Sequence, residues 1–222
     1  MLIEPIQGEA GIVVPPAGWL AELRCLCDAH GVLLILDEVQ SGLGRTGAWF
    51  AFEHEGIRPD AVVLGKALGG GVLPVSAFVA RREVMDVFTP GSHGSTFGGN
   101  PLAAAVGLEA LRVIDDEALV ERSCVLGARM LDRLRAIRSP VLKEVRGRGL
   151  WAGAAIHPAF ASAREVCERL LAKGVLSKET HETVVRLAPP LVITRHDLDW
   201  ALDRFEEVVH DLERSWRRPA AA

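Results

Sequence analysis

Two runs of apolar residues, VLLIL (32–36) and AVVLG (61–65), set the terms for the fold. Each is rich in leucine and β-branched residues and lacks polar alternation, so a strand made from it must be covered on both faces. Such strands lie inside a sheet with helices packed against it. The stretch before the first run, AGWLAELRCLCDAH (17–30), spaces its apolar residues at helical intervals, and Gly31 is placed to end it. Shorter apolar stretches, LIEPI (2–6) and VSAFVA (75–80), flank the pair. The alternation predicts an open α/β sheet, mostly parallel.

Both runs end in a group that can do chemistry. The first leads into Asp37 and Glu38, and the second into Lys66. A strand ending in carboxylates could hold magnesium in an ATPase, but that needs a G-x-x-x-x-G-K-[ST] partner. Around Gly65-Lys66 the first glycine is replaced by Asp60, and Ala67 follows in place of a hydroxyl residue. The ATPase reading therefore fails. In open α/β sheets ligands sit beyond the carboxyl ends of strands, where Asp37 and Lys66 would converge. A buried lysine can lose its proton and form a Schiff base. Pyridoxal phosphate needs such a lysine, and an acid to keep its ring nitrogen protonated. A surface lysine and a turn-capping aspartate would fit the same spacing. Glycine-rich flanks weigh toward a ligand, because they let backbone approach one closely.

Further along, PGSHGSTFGGNP (90–101) reads as a loop of small residues, of the kind that is usually functional or disordered. A helical pattern runs from Asn100 to about Arg138, with a break near Asp115-Asp116, and Pro140 closes it. KEVRGRGLWAGAAI (143–156) suggests two short strands and ASAREVCERLLAKG (161–174) a helix. VVRLAPPLVI (184–193) reads as a strand stopped by a proline pair, and HDLDWALDRFEEVVHDLERSW (196–216) as an amphipathic helix before a frayed RRPAAA tail. The expected domains are residues 1–114 and 115–222.

Composition narrows the function classes. With 49% hydrophobic residues a sizeable core can form. A net charge of −4 with scattered basic residues argues against a nucleic-acid surface. No apolar run nears the roughly 20 residues that span a bilayer. The opening MLIEPIQGEAG has no basic leader pattern and is expected to enter a strand at once. Cys25, Cys27, Cys124 and Cys167 have no metal-ligand spacing, which points to reduced thiols in a cytoplasmic protein and to no metal site.

Taken together, EPIQGEAG (4–11), LLILDEVQSGLGRTG (33–47), PDAVVLGKALGGGVLPVSA (59–77) and HGSTFGGNP (93–101) resemble the signature blocks of the class III, pyridoxal-phosphate-dependent aminotransferases. The resemblance runs in order from Leu2 to about Val209. THETVVRLAPPLVI (180–193) is similar to the equivalent stretch of bacterial ornithine aminotransferases, with acetylornithine aminotransferases next. The fold implied is the C-terminal part of an aspartate aminotransferase-like, fold type I large domain, followed by a small α+β domain.

The resemblance also implies roles. Lys66 would carry the cofactor and shuttle a proton, Asp37 would pair with the pyridinium nitrogen, and Gln40 would bond the phenolic oxygen. Ser95 and Thr96 would bind the phosphate, in this family usually that of the neighbouring subunit of a homodimer. Arg186 would bind the substrate carboxylate. Glu9 would pair with Arg186 while a terminal amine is presented and release it to a dicarboxylate such as 2-oxoglutarate, with Glu4 nearby as a supporting carboxylate. Substrates would be an amino acid and a 2-oxo acid, with no nucleic-acid or membrane partner. Members of the family are longer, and their preceding half supplies a phosphate cradle and a ring-stacking aromatic. A separately encoded N-terminal half is one expectation and a non-catalytic remnant another. Blander readings are favoured for Glu38 as a brace of the turn, for His93 and His181 as structural, and for the tryptophans as packing.

Overall fold

The computed structural model describes residues 1–217. Residues 218–222, within the tail expected to fray, lie outside the described residues. The chain forms two compact units, one of Met1–Ile6 and Pro15–Glu121, the other of Gln7–Val14 and Arg122–Ala222.

The first unit holds β1 (Leu2–Ile3), α1 (Trp19–Ala29), β2 (Ile35–Asp37), β3 (Ala61–Leu64), β4 (Ala77–Ala80), the short α2 (Arg82–Met85) and α3 (Pro101–Asp116). The strands pair in the order β1-β2-β3-β4. β1, β2 and β3 run parallel, whereas β4 is antiparallel to β3. The apolar positions of α1 explain where it docks: Leu20, Leu23 and Cys27 pack with Ile3, Leu34 and Leu36. Gly31, at φ 63, follows the helix end as the sequence suggested. Asp60 ties the layers together by accepting from the Leu34 amide (2.8 Å), from Arg24 (2.7 Å) and from Arg81. Burial opposes its charge, but the amide and the Arg24 guanidinium prevail and hold the carboxyl below its ordinary range. Leu2 on β1 and Val79 on β4 are exposed, so both sheet edges carry uncovered apolar residues.

The second unit takes α4 (Leu119–Ala136) from Arg122 onward, then β5 (Leu142–Gly147), β6 (Ala152–Ile156), α5 (Ala163–Ala172), β7 (Lys178–Thr180), β8 (Val184–Leu187) and α6 (Arg195–Arg217). Its sheet, ordered β5-β6-β8-β7, is antiparallel throughout. Met130, Leu134, Val166, Leu170, Phe205 and Val209 from the three helices form its core against β6 and β8. Residues 7–14 also pack here. Ile12 is buried, and Arg146 donates to the Gly11 carbonyl at 2.7 Å. The close approach of this segment explains Gly153 on β6, since a Cβ there would lie 2.7 Å from the Gly11 oxygen.

Three features differ from the expectations. The boundary placed between residues 114 and 115 falls inside α3, which continues to Asp116; the turn to α4 follows, with Ala118 at φ 50. Residues 7–14 group with the second unit, although residues on either side of them in the chain belong to the first. The strand β7 has no apolar residue in its KET sequence, so no hydrophobic pattern announced it.

Candidate active site

In the first unit, the carboxyl ends of β2 and β3 lie side by side. Asp37 closes β2 opposite Val63 of β3. Its Oδ1 accepts from the Val39 amide at 3.0 Å, which fixes the side chain over the turn. The next residue extends the ladder, the Glu38 amide donating to the Val63 carbonyl at 3.0 Å. Glu38 is 1% exposed. It accepts from the Ser41 hydroxyl (2.6 Å) and from the Ala51 and Phe52 amides (3.0 Å each). Burial pushes its carboxyl up, and those hydrogen bonds act against the rise. Glu38 is therefore the brace of the SGLGRTG turn, as the sequence favoured. Gly42 is required there, because a Cβ would lie 2.8 Å from the Glu38 carbonyl oxygen. Gln40 is half-buried within this braced segment.

Lys66 follows β3 through the extended Gly65 and opens a 3₁₀ turn, Lys66–Gly69. Its own φ is 42, a conformation that a long side chain rarely adopts and that concentrates at functional sites. Lys66 borders a cavity of about 700 Å³ whose wall includes Ser76, Ser95, Gly98, Gly99 and Asn100. The Ser95 hydroxyl accepts from the Gly98 amide at 2.9 Å, and the Asn100 side chain caps α3 by accepting from the Ala103 amide at 2.8 Å. Pro101 at the first position completes the helix start. A helix N-terminus beside a hydroxyl favours an anion. Thr96 is exposed in the same loop, and His93 lies edge-on to Phe88.

In the second unit, Arg186 on β8 donates to Glu9 Oε1 at 2.9 Å. The arginine side chain is 21% exposed and the glutamate 62%. The Thr180 hydroxyl, on β7, donates to the Glu9 carbonyl oxygen and holds that backbone in place. A second cation, Lys178, stands 3.8 Å from Glu9 Oε2. Lys178 leaves a single signal in the sequence, its alternation with Thr180 on a polar strand. His181 is exposed at φ 50, in the turn between β7 and β8. Glu4 is half-buried just after β1 and belongs to the first unit, whereas Glu9 and Arg186 belong to the second.

The sequence profile of Aminotransferase class-III matches residues 1–209. The chain belongs to the class-III aminotransferases. Among curated relatives, it is 56% identical over 208 residues to an ornithine aminotransferase of an Exiguobacterium species, covering 94% of this chain and 51% of that protein. The ornithine aminotransferase of Bacillus subtilis is likewise 56% identical, over 95% of this chain and 52% of its own length. Among solved structures, that of Toxoplasma gondii ornithine aminotransferase, described with partial occupancy of PLP at its active site, superposes with a TM-score of 0.95. It is 44% identical over 98% of this chain and 52% of that one. An acetylornithine aminotransferase from Elizabethkingia anophelis gives 0.91 at 46% identity, over 95% of this chain and 53% of that one. The fold is thus that of part of an aminotransferase, and the chain spans about half the length of the relatives it matches.

Among the described residues, no helix is long and apolar enough to cross a membrane, and no cluster of His, Cys, Asp and Glu is arranged for a metal ion. The donor set does fit pyridoxal phosphate. An amine, a hydroxyl and a helix start border one cavity, and a carboxylate ends the adjacent strand.

Proposed function

We propose that this chain supplies the lysine-bearing part of a pyridoxal-phosphate-dependent ornithine aminotransferase. The reaction moves the δ-amino group of ornithine to 2-oxoglutarate, giving glutamate semialdehyde and glutamate. The observation that carries this reading is the pairing of β2 with β3, which sets the Asp37 and Lys66 positions at neighbouring strand ends. When bound, the cofactor supplies an electron sink for the pair released at the amino-bearing carbon. Lys66 would hold it and carry the proton on its Nζ. Asp37 would keep the ring nitrogen protonated, and Gln40 would serve the phenolic oxygen. Ser95, Thr96 and the start of α3 serve a phosphate, in a homodimer that of the partner copy.

Arg186 binds the substrate carboxylate as a planar fork. Glu9 neutralises it while the substrate presents an amine, and yields when a dicarboxylate arrives. Glu4 supports that site. In this reading the first unit is cofactor-binding, the second forms the smaller domain, and the enzyme works in the cytoplasm. Likeness to the Elizabethkingia acetylornithine aminotransferase supports a second reading, in which the donor is acetylornithine.

The 222-residue chain by itself is expected to hold the cofactor weakly and to turn over little, because relatives are about twice its length. The test mixes the purified chain with pyridoxal phosphate, reduces with borohydride and maps the adduct by mass spectrometry. Modification confined to Lys66 and lost in Lys66→Ala supports the reading; equal labelling of Lys143, Lys173 or Lys178 refutes it. Glutamate formation from ornithine against acetylornithine, in the active holoenzyme, decides the donor.

A further inference from the structure

We propose that Lys178 is a positioning residue that receives the Glu9 carboxylate when Arg186 turns to a substrate, and so sets the preference for dicarboxylates. The proposal rests on the reading of Arg186 and Glu9 given above and adds a residue to it.

Lys178 and Arg186 are direct partners across the antiparallel β7–β8 pair. Partners so placed lie on the same face, with Cβ atoms about 5 Å apart, and two cations there repel unless an anion lies between them. Glu9 is that anion: one oxygen meets Arg186 at 2.9 Å and the other faces Lys178 at 3.8 Å. The two contacts are unequal. The Arg186 side chain is 21% exposed, whereas those of Lys178 and Glu9 are each 62% exposed. The Glu9 backbone cannot drift, because Thr180, two residues beyond Lys178 on the same strand face, donates to its carbonyl. Only the side chain is left to swing. A short rotation toward solvent closes the longer contact and opens the shorter one. The carboxylate thus never has to give up one cation without a second in reach. An exposed pair of this kind is weak, which suits a switch that must reverse in every cycle. Glu9, Lys178, Thr180 and Arg186 all belong to the second unit.

Two measurements test this. In the full chain, carbon-13 NMR follows the Glu9 carboxyl signal. Lys178→Met is expected to move it slightly when Arg186 is present and several-fold further in an Arg186→Met background, which mimics an engaged arginine. In the active holoenzyme, Lys178→Met is expected to raise the KM for 2-oxoglutarate about threefold to fivefold while leaving the KM for ornithine and kcat unchanged, and Lys178→Arg should restore it. An NMR response that is the same in both backgrounds overturns the proposal. So does a KM change that is absent or equal for both substrates. If ornithine is not turned over at all, the proposed function fails, and the NMR comparison still decides the role of Lys178.

Discussion

Gly107 in α3 and Gly127 in α4 are both buried helix-interior glycines, yet replacing each by alanine should have opposite consequences. Alanine gains about 1 kcal/mol over glycine in a helix interior, because less backbone freedom is lost on folding. At Gly107 nothing opposes that gain. The nearest atom to a new methyl would be the Leu68 carbonyl oxygen at 3.6 Å, an ordinary contact. At Gly127 the methyl would lie 2.1 Å from the Gly149 carbonyl carbon and 2.4 Å from its Cα and oxygen. Those atoms are backbone, and the methyl is roughly 1.3 Å too close. The turn that receives it is pinned, since the Leu150 amide donates to the buried Ser123 hydroxyl on α4 at 3.2 Å. Overpacking costs about 1–3 kcal/mol, and more where neither side can yield. Net of the helix gain, Gly127→Ala should lose about 2 kcal/mol, a fall in Tm of roughly 4–8 °C. Gly107→Ala should raise Tm by about 2–4 °C. Calorimetry of the two variants beside the parent chain decides. A neutral or stabilising Gly127→Ala would refute the close approach of α4 to residue 149, and a large loss at Gly107 would refute the room seen there.

Glu38→Ala should cost about 1–3 kcal/mol, because the Ala51 and Phe52 amides lose their acceptor; urea unfolding measures it. The Glu38 carboxyl is raised, so its contribution to stability is full below an ordinary glutamate pKa of about 4.3 and is lost as pH rises through the raised value. Asp60 has the opposite sign. Its carboxyl is lowered, so its contribution is present above about 3.9 and disappears as pH falls through the depressed value. Stability curves of Glu38→Gln and Asp60→Asn against pH should therefore deviate from the parent in different windows, and coincident deviations would contradict the assignments. Asp60→Ala, which leaves the Arg24 guanidinium without a buried partner carboxylate, should lose about 3 kcal/mol in the same assay.

The legible parts of the fold were those with a periodic hydrophobic signal. VLLIL and AVVLG became β2 and β3, and Leu20, Leu23 and Cys27 placed the buried face of α1, because burial on a regular element leaves a period in the sequence. The Glu9–Arg186 contact is legible only through resemblance, since nothing local connects residues so far apart in sequence. β7 stayed hidden because its three residues are polar and it lies at the sheet edge. Lys178 was hidden with it. The antiparallel direction of β4 also left no mark, as an edge strand of either direction has the same composition.

The excursion of residues 7–14 into the second unit bears on how the chain can be made and cut. The contacts that hold this segment join positions 135 to 177 apart, from Gly11–Arg146 to Glu9–Arg186. Such contacts close late, since a long loop must be ordered before they form. A ribosome would have to release residue 186 before the N-terminal segment found its last partner. Nor does any one scission separate the units intact. A cut near residue 121 yields a C-terminal piece lacking Ile12, which is fully buried, and leaves that side chain stranded on the other fragment. Limited proteolysis should accordingly release no independently folded second unit from this chain unless residues 7–14 stay associated with it.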